Sequence, residues 1–73
     1  MLQTEEKPIW ARWELREDGS LNVVATYSEG GGYLSRELSF DRLEDAVETL
    51  GPSFADVVTR VREAGGKAGR WRP

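Results

Sequence analysis

Two segments of alternating apolar and polar residues, joined by a short polar link, constrain the fold of this 73-residue chain most strongly. The first covers residues 9–16 and the second covers residues 21–27, and in both the odd-numbered residues are apolar. Alternation with a period of two is typical of a β-strand that buries one face. The link Glu17-Asp18-Gly19 consists of turn-forming residues, so the two segments predict a β-hairpin.

The length of the turn decides which residues of the hairpin face each other. A two-residue turn would place Leu15 opposite Asn22 and set an apolar side chain against a polar one. A three-residue loop over residues 17–19 places Leu15 opposite Leu21 instead. It also puts Gly19 at the left-handed position of a G1 bulge, where glycine is favoured. We therefore expect the three-residue loop.

A third strand is predicted after the glycine-rich break at residues 29–32. Residues 33–40 alternate again, but their apolar face includes Arg36. An arginine within an apolar stripe is typical of an edge strand, where its guanidinium group reaches water. We expect this segment to lie at the edge of the sheet.

Helical periodicity follows the third strand. Asp41 and Glu44 form a pair typical of a capping box, and apolar residues then recur at helical spacing. Gly51-Pro52 ends this helix, and Ser53 is expected to cap a second one that reaches Gly65-Gly66. A single helix kinked at residues 51–52 is the alternative.

These segments together predict an α+β fold. It consists of a three-stranded antiparallel sheet, followed by two short helices or one kinked helix packed on one face, and a basic C-terminal tail. We expect a disordered or extended N-terminus at residues 1–8, one domain over residues 9–66 and a flexible tail over residues 67–73. A domain this small buries only about 60% of its unfolded surface, so we expect a monomer or a weak homodimer that a partner can stabilise further.

The composition excludes most kinds of catalytic site. The chain has no His and no Cys. It therefore lacks the commonest general base and the usual ligands of zinc, haem and iron–sulfur clusters. A Ser-His-Asp or Cys-His mechanism is impossible within it. We expect no enzymatic activity, no metal and no cofactor.

The location is predicted from the same composition. Residues 1–8 are polar, without the apolar segment of a signal peptide, and no apolar run approaches the roughly 20 residues of a membrane-spanning helix. The absence of cysteine fits a reducing compartment. We expect a cytoplasmic protein that does not bind a membrane.

The charge of the chain is polarised between its two ends. Residues 1–50 carry a net charge of −6, whereas residues 51–73 carry +3. The basic end holds Lys67, Arg70 and Arg72 around Trp71. Such an asymmetry is typical of a binding surface. The tail is therefore a candidate partner-binding segment, in which Trp71 either packs back on the sheet or acts as a free anchor.

Two further groups of residues are candidates for partner binding. Trp10 shares the outer face of the first strand with Arg12 and Arg16, and a tryptophan beside arginines can anchor a protein interface or stack on a base. A second group of candidates lies on the first helix, and its members are acidic: Glu44, Asp45 and Glu48. Two carboxylates one turn apart can share a hard cation, but a solvated acidic face near a helix N-terminus is the commoner arrangement, and such a face can also meet a basic partner.

These features favour a non-catalytic regulatory module that binds a protein partner within a larger macromolecular assembly. Small acidic proteins of this kind include bacterial and phage-encoded modulators of nucleic-acid-handling enzymes such as RNA polymerase. By this analogy of size and charge, we expect a role in the regulation of transcription.

The alternative is a nucleic-acid-binding domain that uses its sheet face and basic tail. Three antiparallel strands followed by a helix resemble the plant AP2-type DNA-binding domain in element order, and residues 39–46 have a similar passage from sheet to helix. The resemblance implies DNA binding through the sheet. Phosphate contacts dominate the affinity of such domains, and here Glu14 stands between Arg12 and Arg16 in an acidic chain. We therefore rank this function second.

Overall fold

Four antiparallel strands and two helices make up residues 8–73, the part of the chain that the computed structural model describes. In chain order the elements are β1 (Trp10–Leu15), β2 (Leu21–Glu29), β3 (Gly32–Phe40), α1 (Leu43–Leu50), α2 (Pro52–Glu63) and β4 (Ala68–Trp71). The strands form one sheet in the order β3-β2-β1-β4. The predicted α+β class and antiparallel sheet are confirmed, whereas the predicted number of three strands is wrong. Apart from Pro8, which is buried, the N-terminus predicted at residues 1–8 lies outside the described residues.

The hairpin of β1 and β2 has the predicted register. Leu15 lies opposite Leu21, and the backbone N–H of Arg16 donates to the carbonyl oxygen of Ser20 at 2.8 Å. Gly19 takes a φ of 93° in the three-residue loop between them. The odd-numbered apolar residues of both strands consequently lie on one face, which we call the inner face of the sheet.

The hairpin of β2 and β3 has a tighter turn. Glu29 lies opposite Gly32, and the two residues between them, Gly30 and Gly31, have φ angles of 57° and 84°. Two consecutive positive φ angles define a type I′ turn, whose twist matches that of the strands and which glycine adopts without steric cost. Among the strands of residues 8–73, β3 has β2 as its only neighbour, so its predicted edge position is confirmed.

The last strand replaces the tail predicted over residues 67–73. β4 pairs antiparallel with β1, with Trp71 opposite Ala11, and the side chain of Trp71 is only 2% exposed. The prediction of a flexible tail is therefore wrong, because the burial of a large indole outweighs the entropy lost in ordering a short segment.

The two helices are separate, and neither has the predicted side-chain cap. Gly51, with a φ of 108°, lies between them. The N-cap of α1 is Arg42 in an extended conformation, so Asp41 does not cap this helix. α2 begins at Pro52, whose fixed φ suits the first helical position, so Ser53 lies inside the helix rather than before it. None of the described helices is long and apolar enough to cross a membrane.

Both helices pack against the inner face and enclose one hydrophobic core. The buried apolar residues of this core are Ala11, Trp13, Leu21, Val23, Ala25, Ala46, Leu50, Phe54, Val58 and Trp71. Phe54 meets Trp13 and Trp71 edge-on, at centroid distances of 6.2 and 5.5 Å. Gly69 leaves room for the indole of Trp13, since a Cβ at this position would lie 3.0 Å from its Cζ2. The opposite side of the sheet, the outer face, carries no helix of the described residues.

Candidate functional site

The pairing of β4 with β1 creates a two-by-two array of large side chains on the outer face. Arg12 lies opposite Arg70, while Trp10 and Arg72, the chain neighbours of Ala11 and Trp71, line the same pocket. The four side chains surround an open pocket of about 520 Å³. We call this site the arginine pocket.

The floor of the arginine pocket is formed by two residues whose side chains are packed in the hydrophobic core. Ala11 and Trp71 line it, while both of these side chains are buried. The indole Nε1 of Trp71 donates to the hydroxyl oxygen of Ser53 at 3.1 Å, and its ring packs on Phe54. Trp71 therefore positions β4 rather than contacting a partner, and the alternative that it is a free anchor is wrong.

The positive charge of the arginine pocket is not neutralised within residues 8–73. The only ion pair in this part of the chain joins Arg42 to Asp45 at 3.7 Å. Arg12 and Arg70 stand directly opposite each other, and a like-charged cross-strand pair destabilises a sheet. Their planar guanidinium groups present several N–H donors, which match a carboxylate or a phosphate bidentately.

An exposed aromatic pair borders the pocket on the side of β2 and β3. Trp10 is 39% exposed and Tyr33 is 71% exposed. Their ring centroids lie 5.8 Å apart, with an angle of 42° between the planes. Tyr33 was not among the candidate residues, because only the register of β3 against β2 brings it beside Trp10. This register depends on the Gly30-Gly31 turn, which the glycine run alone did not specify.

The remaining part of the outer face is polar and acidic. Asn22 donates from its side-chain amide to a carboxylate oxygen of Glu37 at 2.9 Å and accepts a hydrogen bond from the Ser39 hydroxyl at 3.3 Å. Glu14 lies in the same row, opposite Ala68. The aromatic pair and the arginine pocket thus lie together at one end of the face.

Arg16 and Lys67, two of the predicted partner-binding residues, lie at the other end of β1. They line a second cleft of about 500 Å³, together with Arg62 and Glu17. Arg16 donates to the hydroxyl of Ser20 at 3.3 Å. The structure therefore does not join these two residues to the arginine pocket.

The acidic candidates lie on the opposite side of the sheet from the pocket. Glu44, Asp45 and Glu48 belong to α1, which packs on the inner face. Asp45 also forms the ion pair with Arg42. Within residues 8–73 no three acidic side chains are grouped so that they could hold a metal ion. One flat partner surface cannot contact this acidic group and the arginine pocket together.

One carboxyl group of the described chain has a clearly shifted pKa. The hydroxyl and the backbone N–H of Ser20 both donate to Asp18, at 2.7 and 2.9 Å, and hold its pKa below its usual value. Asp18 lies in the β1–β2 loop, so these hydrogen bonds stabilise the hairpin and do not involve the arginine pocket.

Comparison of the chain with protein-family models, with curated proteins and with solved structures found no match.

Proposed function

We propose that this protein is a non-catalytic interaction module that binds an acidic segment of a partner protein through the arginine pocket. The observation that carries the proposal is the pair of Arg12 and Arg70, which face each other on an uncovered sheet face without a carboxylate within 4.0 Å in residues 8–73.

The arginine pair is unfavourable for the isolated domain. An opposite charge at either position would stabilise the sheet, whereas two arginines repel each other. The arrangement becomes favourable when a partner supplies a carboxylate, because an ionised group strengthens hydrogen bonds to both guanidinium groups. Trp10 lies beside them and offers the half-exposed aromatic surface that commonly anchors protein interfaces.

The charge of the whole protein favours a protein partner over nucleic acid. The chain has a net charge of −3, and the outer face that holds the arginine pocket also holds Glu14 and Glu37. A nucleic-acid backbone needs a continuous basic track, because its affinity depends on the number of neutralised phosphates. A pocket with three arginines suits one or two carboxylates better.

A second candidate function is the binding of a short single-stranded nucleic acid. The exposed pair of Trp10 and Tyr33 favours it, because stacking of a base on an aromatic side chain contributes roughly 1–3 kcal/mol. The three arginines beside this pair would then contact the phosphates.

Three further predictions concern the partner's assembly, the location of the protein and its oligomeric state. We propose that the partner belongs to a larger macromolecular assembly, such as RNA polymerase, and that binding modulates or inhibits it. The cytoplasmic location and the state of a monomer or weak homodimer are proposed with it.

Affinity capture from native lysate, followed by mass spectrometry, tests the main proposal. The wild-type chain is compared with Arg12→Ala/Arg70→Ala and with a matched control, Arg16→Ala/Arg62→Ala, which removes the same charge from the second cleft. We expect the pocket variant to lose a partner that the control variant retains. Equal capture by all three proteins would refute the role of the pocket.

Fluorescence anisotropy with labelled single-stranded DNA and RNA separates the second candidate from the first. Salt-sensitive binding that disappears in the pocket variant would establish the nucleic-acid function. Absence of binding at low salt would eliminate it and leave the protein partner.

A further inference from the structure

We infer that β3 is a second interaction surface, which accepts an extended segment of a partner protein as a fifth strand with a carboxylate opposite Arg36. This surface is separate from the arginine pocket, because β3 and β4 lie at opposite edges of the sheet.

Within residues 8–73, β3 presents backbone groups without a partner along an exposed edge. It has nine residues, contains no proline and is exposed or half-buried throughout. Glu29 and Gly32 flank the two-residue turn, and residues in this position exchange hydrogen bonds. Alternation along the ladder then directs the backbone N–H and C=O groups of every second residue away from β2. These outward-directed residues are Tyr33, Ser35, Glu37 and Ser39.

The other edge of the sheet, formed by β4, has far fewer backbone groups that an added strand could pair with. β4 has only four residues, and a very short edge strand is one of the ways in which proteins avoid unwanted pairing. β3 is more than twice as long and is therefore the edge on which an added strand gains most hydrogen bonds.

The side chains on the inner side of β3 specify what such a strand must carry. Arg36 is exposed, with its guanidinium carbon 5.8 Å from the ring centroid of Tyr27. Leu34, which is 39% exposed, and half-buried Leu38 lie on either side of Arg36 on the same face. A strand paired with β3 places its own side chains opposite these three. An acidic residue with an apolar residue two positions before and after it is complementary.

A second copy of the chain is a poorer occupant. The two-fold antiparallel arrangement that pairs the whole of β3 would set Arg36 against its own counterpart. A shift of two residues toward the C-terminal end would set Glu37 against Glu37, and a shift toward the N-terminal end would set Arg36 against Leu34; either shift shortens the ladder from nine residues to seven. An inward-directed charge on an edge strand opposes self-association of this kind, whereas it favours a partner with the opposite charge.

Titration of the ¹⁵N-labelled full chain with a synthetic peptide tests the inference. The probe is Lys-Thr-Val-Thr-Glu-Thr-Val-Thr-Lys, whose central Glu is flanked by Val two positions away. The control peptide has Lys in place of the central Glu. We expect the Glu peptide to bind at least about threefold more tightly and to protect the outward-directed amides of β3 from hydrogen exchange. In Arg36→Glu the preference should reverse, and in Arg12→Ala/Arg70→Ala it should remain.

Several results would overturn the inference. They are the absence of binding at millimolar peptide, equal affinity for both peptides, and chemical-shift changes confined to β4 or the arginine pocket. Retained binding of a Glu peptide that is N-methylated at its Thr residues, whose amides would face β3, would also exclude strand addition. A wild-type dimer in sedimentation, with the same β3 amides protected in the absence of peptide, would identify a second copy as the occupant.

Discussion

Replacement of Trp71 by Ala should destabilise the domain strongly, because this one side chain attaches β4 to the core. Its indole is 2% exposed, meets Phe54 edge-on at 5.5 Å and donates a hydrogen bond to Ser53. The arginine pocket depends on the same attachment, since two of its arginines lie on either side of Trp71.

The size of the effect follows from the buried area. A buried Trp side chain removes roughly 150–250 Å² from water, which at about 25 cal/mol per Å² corresponds to about 4–6 kcal/mol. This range is an upper limit, because unfolded chains already bury part of their surface, and Trp-to-Ala changes in cores typically cost about 3–5 kcal/mol. We expect about 4 kcal/mol for Trp71→Ala, against a total of roughly 4–11 kcal/mol for a domain of this length. The melting temperature should fall by about 16–32 °C.

Urea and thermal unfolding followed by far-UV circular dichroism measure this change. The matched control is Arg72→Ala, which alters the neighbouring exposed residue and should change the free energy of unfolding by less than about 0.5 kcal/mol. If Trp71→Ala does not fold, Trp71→Phe keeps an aromatic ring and should cost about 1–2 kcal/mol. A loss below about 1 kcal/mol in Trp71→Ala would refute the docking of β4.

Three further changes test other parts of the structure. Arg70→Glu should raise the free energy of unfolding in urea by about 0.5–1 kcal/mol, since it turns a like-charged cross-strand pair into an opposite one; an unchanged or lower value would show that the two arginines do not face each other. Gly69→Val should lower the free energy of unfolding by about 1–3 kcal/mol, because a Cβ at this position would lie only 3.0 Å from the Trp13 ring. An unchanged free energy of unfolding would contradict this packing. In Ser20→Ala the pKa of Asp18, measured by NMR titration of its carboxyl carbon, should rise toward its ordinary value near 3.8. A carboxyl group with a depressed pKa stabilises the fold at pH values above its ordinary pKa, and this contribution is lost as the pH falls through the folded-state pKa. Wild type should therefore lose more stability on acidification than Ser20→Ala. Equal losses would contradict the role of this hydrogen bond.

The first hairpin was predictable because its information is local. Period-two alternation and the position of Gly19 together admitted one register that keeps Leu15 and Leu21 on the same face, and the structure has this register. The helix caps were predicted wrongly for an equally local reason. Proline at the first helical position of α2 moved the start ahead of Ser53, whose hydroxyl instead accepts a hydrogen bond from Trp71.

The candidate site was only half predictable. Alternation placed Trp10 and Arg12 on one face of the first strand, and this placement is confirmed. The same alternation is present in the last residues, where Gly69 and Trp71 interleave with arginines. Four residues that include a glycine have too little intrinsic strand preference to show where they pair, so the convergence of the two segments was missed.

Local sequence was sufficient to predict the hairpin, the helical periodicities and the separation of charge along the chain, because each depends on residues that are close together in the chain. The basic end, in contrast, forms a strand because of contacts with residues that are distant in the chain. The free edge of β1 and the core surface around Phe54 together supply the hydrogen bonds and the apolar contacts that order it. Those partners lie far away in the chain, and their contribution outweighs the entropy of ordering only once the core has formed.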